Sequence, residues 1–390
     1  MSSSTSNFET FPNEASPRPS YRRYVRWAAA TVAVVFFAVA TLNVLVDPFR
    51  VHPNLRVTAL DRYRSDARPR VHNSLVARKG DYNLAFVGSS RAQRAFDPES
   101  PAVSRYRAVN LANPATSLAE LVDVVATIRA AAPDASIVLG LDYHAFHRAR
   151  TLPQTYRVSF FSPTVHPAEF WLDKWISQNT TRRSIKIFRR WRRDRRPAEW
   201  TPTPAEKVIL DFAHGSLLWG NFHRAADDLK LVRRLLPTDS ATTGAIHLVI
   251  LPMHASLLET LDHRGLWESF EAWNRELTEV AEGAATLWDF ATYSAPARLS
   301  LPRSPKDPAP EYRLWFRDPS HITATFGTRL LEAILDAEPN AAEWGSRLTP
   351  SSLERHLNTV RTDRELYRST NTEELRRLQT WWSLPPKGDR

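Results

Sequence analysis

Short apolar runs alternate with helical patterns along most of the chain. The runs that predict β-strands are Tyr82–Val87, Ala108–Leu111, Ser136–Leu141, Ile246–Leu251 and Thr286–Phe290. The fourth run, IHLVIL, is apolar along nearly its whole length, as expected of a strand that is covered on both faces. Helical patterns predict helices at Leu118–Ala131, Leu266–Ala281 and Ile322–Leu335. This alternation predicts an α/β fold in which a parallel sheet carries helices on both faces.

The N-terminal part of the chain contains one uninterrupted apolar segment. Trp27–Val46, WAAATVAVVFFAVATLNVLV, has no charged residue and is about as long as a bilayer core is thick. It is preceded by Arg18, Arg22, Arg23 and Arg26. These charges predict a cytoplasmic N-terminus and an extracytoplasmic bulk of the chain. A cleaved signal peptide is the alternative, because Ala38-Val39-Ala40 fits a small-x-small cleavage pattern, but the apolar run continues to Val46 and favours a single-pass anchor.

Two further regions differ in character from the α/β pattern. The stretch between the third and fourth strands is rich in Trp, Arg and Pro, which predicts an inserted, mostly helical region. The C-terminal stretch is polar and contains two weakly amphipathic helical patterns, around Ser352–Leu366 and Glu373–Trp382. The resulting segments are a cytoplasmic tail (1–26), a transmembrane anchor (27–46), a linker (47–80), an α/β domain (81–147 and 244–337), a helical basic insertion (148–243) and an amphipathic helical tail (338–390).

Composition adds a strongly basic balance to this picture. The 390 residues carry a formal net charge of +10 and no cysteine, which excludes disulfides and thiolate metal sites. In the cytoplasm, a dense basic run with aromatic residues indicates nucleic-acid binding. Outside the cytoplasm, anionic lipid headgroups or an acidic glycan are the expected partners, and a solvated helix face is an equally good interpretation. The basic run consists of Arg182, Arg183, Lys186, Arg189, Arg190, Arg192, Arg193, Arg195 and Arg196.

Polar residues follow the predicted strands at the edge where open parallel sheets bind ligands. Gly88-Ser89-Ser90 follows the first strand and is suited either to a simple turn or to a nucleophile on a strand-to-helix turn. Asp318 and His321 are three residues apart before the last helical pattern, so their side chains can face one side. Asp318-Pro319 is also an ordinary helix start, with aspartate as N-cap and proline at the first helical position. Further polar residues near strand ends are Asn110, Asn113, Asp142, His144, His147 and His254.

These segments resemble the sequence blocks of the SGNH (GDSL-type) hydrolase superfamily. Gly88-Ser89-Ser90 matches the Gly-Asp-Ser block, and Asp318-Pro-Ser-His321 matches the Asp-x-x-His block. The stretch VNLANPATS is similar to the second block, Asn-x-Gly-x-x-Gly, with Ala112 and Ala115 in place of both glycines. In the third block, Gly-x-Asn-Asp, Asp142 stands where the family has asparagine. The resemblance covers residues 80–147 and 245–335, and the GSSR form and the N-terminal anchor are similar to membrane-tethered envelope members, such as the teichoic-acid D-alanylation protein and exopolysaccharide O-acetyltransferases.

The resemblance implies a flavodoxin-like three-layer α/β/α fold and an acyltransferase or esterase that acts on cell-envelope glycans. Such envelope members often work beside a membrane-bound O-acyltransferase. Ser90 would be the nucleophile, His321 its base and Asp318 the partner that orients the histidine. No cofactor and no metal are implied. The further assignments are the backbone N–H groups of Ser90 and Ala115, together with Asn113 and Asp142, for the oxyanion hole, and His254 and His144 for substrate contacts.

Two competing interpretations follow from particular residues. An ionised Asp142 would repel an oxyanion, so that it must be protonated, turned away or engaged elsewhere. This favours a catalytically degenerate scaffold that binds a glycan or a membrane-bound O-acyltransferase. Asp142, His144 and His147 lie within six residues and would suit a metal ion, although no further His or carboxylate spacing supports such a site.

Overall fold

The computed structural model describes residues 21–64, 69–195, 203–237, 244–304, 306–336 and 343–385. Residues 1–20 of the predicted cytoplasmic tail, including Arg18, lie outside these ranges, and so does Arg196 of the basic run. The chain forms two compact units, which we call the first and the second unit. The first consists of Met1–Arg64 and Ala168–Pro197, and the second of Ser65–Pro167 and Ala198–Arg390. The segment 148–243, which we predicted to be one insertion, therefore contributes to both units.

The regular elements are numbered in chain order. The helices are α1 (Tyr21–Val46), α2 (Pro69–Lys79), α3 (Ser90–Ala95), α4 (Leu118–Ala131), α5 (Gln154–Arg157), α6 (Pro167–Ile176), α7 (Gln178–Arg192), α8 (Ala205–His214), α9 (Asp228–Leu235), α10 (Ala255–His263), α11 (Trp267–Ala281), α12 (Pro310–Trp315), α13 (Ala324–Asp336), α14 (Leu353–Thr370) and α15 (Thr372–Trp382). The strands are β1 (Leu84–Val87), β2 (Ala108–Asn110), β3 (Ser136–Leu141), β4 (Ile246–Ile250), β5 (Thr286–Asp289), β6 (Phe316–Asp318), β7 (His321–Ile322) and β8 (Ser346–Leu348).

The first unit is a small helical assembly built on α1. Within the part of the chain that the structure describes, α1 is the one helix long and apolar enough to cross a membrane, and most of its apolar stretch is exposed. At its C-terminal end, the Asn43 amide donates hydrogen bonds to the Trp175 carbonyl over 2.7 Å and to Thr181 Oγ1 over 3.0 Å. Val46 packs with Ile187 of α7 in a small apolar cluster. These contacts fix the end of α1 against α6 and α7.

The second unit contains a mostly parallel six-stranded sheet in the order β2-β1-β3-β4-β5-β8. The first five strands are parallel, and their order is the one found in flavodoxin-like doubly wound folds. The α/β class and all five predicted strands are thus confirmed. The edge strand β8 runs antiparallel to β5 and was not predicted, because its three residues, Ser-Arg-Leu, are too few to show any periodicity.

The core of the sheet follows from the apolar runs. All four residues of β1 are buried, and so are the last five of the six residues of β3, as expected of strands covered on both faces. The predicted helices are confirmed as α4, α11 and α13, and the two helices predicted in the tail are confirmed as α14 and α15. The predicted helix start at Ile322 is two residues early, because His321–Ile322 form β7.

A short hairpin precedes α13 and replaces the helix cap that Asp318-Pro319 suggests. Asp318 ends β6, which pairs antiparallel with β7, and Pro319 and Ser320 form the turn between them. The Asp318 carboxylate accepts hydrogen bonds from the backbone N–H groups of Ser320 over 2.9 Å and of His321 over 3.0 Å. The alternative interpretation of Asp318 as a helix N-cap is therefore wrong, since these bonds close a hairpin turn.

Candidate active site

The turn after β1 presents Ser90 at the first position of α3. Ser89 is the N-cap residue, and its hydroxyl accepts a hydrogen bond from the Arg91 N–H over 3.1 Å. Gly88 has a φ of +144°, a region that favours glycine. A Cβ at position 88 would lie 2.7 Å from the Ala92 Cβ and 2.9 Å from the Gly140 carbonyl oxygen. Glycine therefore allows the close approach of α3 to β3 that turns Ser90 outward from the strand end.

Ser90, His321 and Asp318 form a continuous hydrogen-bonded series. Ser90 Oγ lies 3.0 Å from His321 Nε2. On the other side of the ring, His321 Nδ1 lies 3.0 Å from Asp318 Oδ1 and 2.9 Å from Oδ2. Because a carboxylate only accepts, Nδ1 carries the proton and Nε2 is left to accept the Ser90 proton. The two blocks, 228 residues apart from Ser90 to Asp318, thus meet with the geometry that a serine nucleophile and its base require.

The three residues of this series differ in their exposure to solvent. The Asp318 side chain is 3% exposed, the His321 side chain is 22% exposed, and Ser90 is half-buried. The carboxylate is therefore shielded from water, where its hydrogen bond to the imidazole is strengthened. Ser90 and His321 are therefore the partly exposed members of the series.

The loop that resembles the second sequence block packs on the nucleophile turn. The Asn113 N–H donates to the Gly88 carbonyl over 2.9 Å, and Thr116 Oγ1 donates to the same oxygen over 3.3 Å. Ala115, between them, is exposed and has a φ of +55°. Among the residues that the structure describes, neither the Ser90 N–H nor the Ala115 N–H has a hydrogen-bond acceptor. Both predicted backbone donors are therefore available.

The Asn113 side chain, which was assigned to the oxyanion hole, makes its hydrogen bonds to other groups of the protein. Its Nδ2 donates to the Leu111 carbonyl over 3.0 Å, and its Oδ1 accepts from Asn73 Nδ2 over 3.1 Å. Asn113 is 1% exposed. The amide holds α2 against the loop after β2 and does not reach a bound substrate in this arrangement.

Asp142 is the counter-ion of a buried arginine. Its Oδ1 accepts from Arg91 Nη1 over 2.5 Å, and its Oδ2 accepts from the Ser89 hydroxyl. Burial by itself raises the pKa of Asp142, but the charge of Arg91 and the hydrogen bonds from Ser89 and Arg91 outweigh burial and lower its pKa below the ordinary value. Asp142 is thus an ionised acceptor with no proton to donate. It is engaged with Arg91 in place of the oxyanion-hole role that its position suggested.

Sequence reasoning missed Arg91, which links the elements that carry the candidate catalytic residues. The buried guanidinium donates from Nε to the Ser320 carbonyl over 2.9 Å and from Nη2 to the carbonyls of Leu251 over 2.8 Å and Pro252 over 2.7 Å. It thus joins the first turn of α3 to the loop after β4 and to the residue before His321. The signal in the sequence was the arginine of GSSR, directly after the serine pair.

The candidate substrate histidines lie inside the protein. His254 is fully buried, with Nδ1 2.8 Å from Ser256 Oγ and Nε2 2.6 Å from the Leu299 carbonyl oxygen, and it caps α10. Burial lowers the pKa of His144 to about 3, so this ring is neutral, and it stacks edge-on against Phe212. Neither side chain is open to a substrate.

The predicted strand-end cluster does not assemble a metal centre. The His147 ring lies 2.8 Å from the Asn221 carbonyl through Nε2 and accepts from the Ala149 N–H through Nδ1, over 2.9 Å. In the described ranges of the chain, no group of three or more His, Asp and Glu side chains is arranged to hold a metal ion.

No protein-family model, no curated protein and no solved structure matches this chain. Any assignment of function therefore depends on the geometry of the residues themselves.

Ala115 offers a direct test of the loop conformation. The substitution Ala115→Gly should raise the free energy of unfolding by up to about 1.5 kcal/mol. A left-handed residue with a Cβ costs about 1–2 kcal/mol, and the greater freedom of glycine in the unfolded chain takes back about 0.5–1 kcal/mol. The measurement is denaturant unfolding of the two proteins.

Ala112→Gly is the matched control, since it removes the same methyl group at the other position where the family block has glycine. Ala112 is buried and its φ is not positive, so this change should destabilise the protein. Equal losses of stability in the two variants would contradict the conformation described for Ala115.

Proposed function

We propose that the second unit is an SGNH-like acyltransferase or esterase that works through an acyl-Ser90 intermediate. The single observation that carries the proposal is the hydrogen-bonded series Ser90–His321–Asp318 at the carboxyl end of a parallel sheet. Open parallel sheets bind ligands at this edge. A buried carboxylate, an imidazole in a fixed tautomer and a partly exposed serine are the parts that nucleophilic acyl transfer requires.

The first half-reaction transfers an acyl group to Ser90. His321 Nε2 takes the proton of Ser90 Oγ as the oxygen attacks the carbonyl carbon of an ester. The N–H groups of Ser90 and Ala115 are the donors that would hold the oxyanion of the tetrahedral intermediate. His321 then gives its proton to the departing alcohol, while Asp318 stabilises the imidazolium throughout.

The second half-reaction releases the acyl group. An acceptor hydroxyl, from a glycan or from water, gives its proton to His321 as its oxygen attacks the acyl carbon. The proton returns to Ser90 when the new ester or the free acid leaves. Transfer and hydrolysis differ only in the acceptor. Which of them occurs therefore depends on whether the protein around Ser90 excludes water and admits a glycan hydroxyl.

We further infer that this activity acts on a cell-envelope glycan outside the cytoplasm. The support is α1, which is long and apolar enough to span a bilayer, together with the arginines that precede its apolar segment. A membrane-bound O-acyltransferase would be a suitable acyl donor at that location. A non-catalytic scaffold is the other candidate. Its main argument was the charge of Asp142, and the ion pair with Arg91 engages that charge.

The experiment that tests the proposal is covalent labelling with a fluorophosphonate, which reacts with serines activated by a neighbouring base. We expect the wild-type protein to be labelled and the variant Ser90→Ala to remain unlabelled. Ser89→Ala, with the adjacent buried hydroxyl removed, is the matched control and should still be labelled.

A further inference from the structure

We infer that α7 binds the phosphate-bearing headgroups of anionic phospholipids at the surface of the membrane that α1 crosses. This function belongs to the first unit and is independent of the proposed chemistry at Ser90. It gives the basic run a specific partner, where the sequence alone left lipid, glycan and solvent as alternatives.

The basic residues of α7 form one face. Thr180, Ser184 and Ile187 are the buried residues of the helix, and Ile187 packs with Val46 of α1. The opposite face carries exposed basic residues at successive spacings of four, three and four residues, which aligns them along one side of a helix. These residues are Arg182, Lys186 and Arg189 of α7, and Arg193, the C-cap residue that follows the helix.

The charges on this face are uncompensated within the described ranges. None of the four basic side chains has a salt bridge to an Asp or Glu there. Together with Ile185 they line one shallow open groove. The nearby Asp194 carboxylate is engaged by the Tyr63 hydroxyl and lies 3.8 Å from Arg62 Nη2. A groove with several cations and no counter-ion fits an anionic ligand.

The length of α1 puts this face beside a bilayer. At 1.5 Å per residue, its 26 residues extend about 39 Å. A hydrocarbon core of about 30 Å takes up roughly 20 of these residues. The apolar segment Trp27–Val46 has this length, so its last turn, in which Asn43 and Val46 are buried against α6 and α7, reaches the end of the hydrocarbon core. α7 therefore lies where α1 leaves the hydrocarbon core, which is the depth of the headgroups.

Apolar side chains flank the basic face, as in helices that lie at membrane interfaces. On α7, Ile185, Phe188 and Trp191 are 37%, 41% and 43% exposed. On α6, Leu172 and Trp175 are 50% and 39% exposed. Aromatic residues are enriched at the interface, and Lys and Arg beside Trp, Phe and Leu characterise interfacial helices. A soluble polyanion would account for the charges but not for this apolar rim next to a transmembrane helix.

The test measures which lipid surrounds α7 in the full-length protein. Because the chain has no cysteine, the substitution Ile185→Cys gives a unique attachment site for a fluorophore. The protein is placed in nanodiscs of one part phosphatidylglycerol to three parts phosphatidylcholine. Bromine, which quenches on contact, is carried by the acyl chains of one lipid or of the other. We expect brominated phosphatidylglycerol to quench at least about twofold more per molecule than brominated phosphatidylcholine, because several cations act on each headgroup.

A charge-reversed variant and a matched control separate α7 from the net charge of the protein. Arg182→Glu, Lys186→Glu, Arg189→Glu and Arg193→Glu together should abolish the preference for phosphatidylglycerol. The control reverses four exposed arginines of the second unit by Arg233→Glu, Arg234→Glu, Arg355→Glu and Arg376→Glu, and it should keep the preference.

Two results would overturn the inference. One is equal quenching by the two brominated lipids, or none by either. The other is binding of a DNA oligonucleotide or an acidic polysaccharide that the α7 variant loses, without any lipid preference in the wild-type protein. In that case the groove serves a soluble polyanion.

Discussion

Replacing His321 with alanine should lower the rate of ester hydrolysis by about a thousandfold or more. Without the imidazole, nothing takes the proton from Ser90 as its oxygen attacks. The Asp318 carboxylate keeps its hydrogen bonds from the N–H groups of Ser320 and His321, so the hairpin and the melting temperature should change little. The measurement is kcat with nitrophenyl acetate, accompanied by thermal unfolding.

Ser90 and His321 should act as one unit. Ser90→Ala should cause a loss of the same order, and the double variant should be no slower than either single variant, since each change already removes nucleophilic attack. His223→Ala removes an exposed histidine of the second unit and should leave the rate unchanged. Retention of more than a tenth of the activity by His321→Ala, or multiplicative losses in the double variant, would contradict this prediction.

Asp142→Asn should destabilise the protein by about 3–5 kcal/mol, the usual cost of leaving one partner of a buried ion pair without its counter-charge. The family block has asparagine at this position, and by resemblance alone the change would supply an oxyanion donor and speed the reaction. In the structure, Arg91 would be left charged among carbonyl groups, and its contact with the Ser320 carbonyl beside His321 would loosen. We therefore expect slower turnover. Denaturant unfolding and kcat measure the two effects.

The difference in the free energy of unfolding between the wild-type protein and Asp142→Asn should become smaller as the pH falls. The pKa of Asp142 is lower in the folded protein than its ordinary value. Its contribution to stability is therefore complete above about pH 4–5 and is lost as the pH falls through the folded pKa. The double variant Arg91→Met/Asp142→Leu removes both charges and should be more stable than Asp142→Asn alone. An Asp142→Asn protein as stable as the wild type, with faster turnover, would contradict the ion-pair role.

Much of this arrangement could be predicted from the sequence, because the patterns that indicate it are local. The five parallel strands are continuous apolar runs, and Ser90, Asp318 and His321 stand in short blocks of recognisable spacing. The ion pair of Arg91 with Asp142 joins residues 51 positions apart. No local pattern specifies such a pairing, and only the packing of α3 on β3 brings the two side chains together.

Other features escaped prediction for related reasons. The β6–β7 hairpin consists of a three-residue and a two-residue strand, too short for a hydrophobic period, so Asp318-Pro319 was open to interpretation as a helix start. The association of α6 and α7 with α1 depends on contacts such as the hydrogen bonds from the Asn43 amide to residues more than 130 positions away. Composition predicted a basic helical region, but it could not show that this region packs against α1.

The most direct measurement of the central claim is the position of the fluorophosphonate adduct, determined by mass spectrometry of peptides from the labelled wild-type protein. The account predicts one adduct, on Ser90, whose formation slows in His321→Ala and persists in Ser89→Ala. Ser90 is the serine whose hydroxyl lies 3.0 Å from His321 Nε2, whereas the Ser89 hydroxyl is buried against Asp142. An adduct on Ser89 or another serine, or the absence of any adduct on a folded protein, would contradict a covalent mechanism at Ser90.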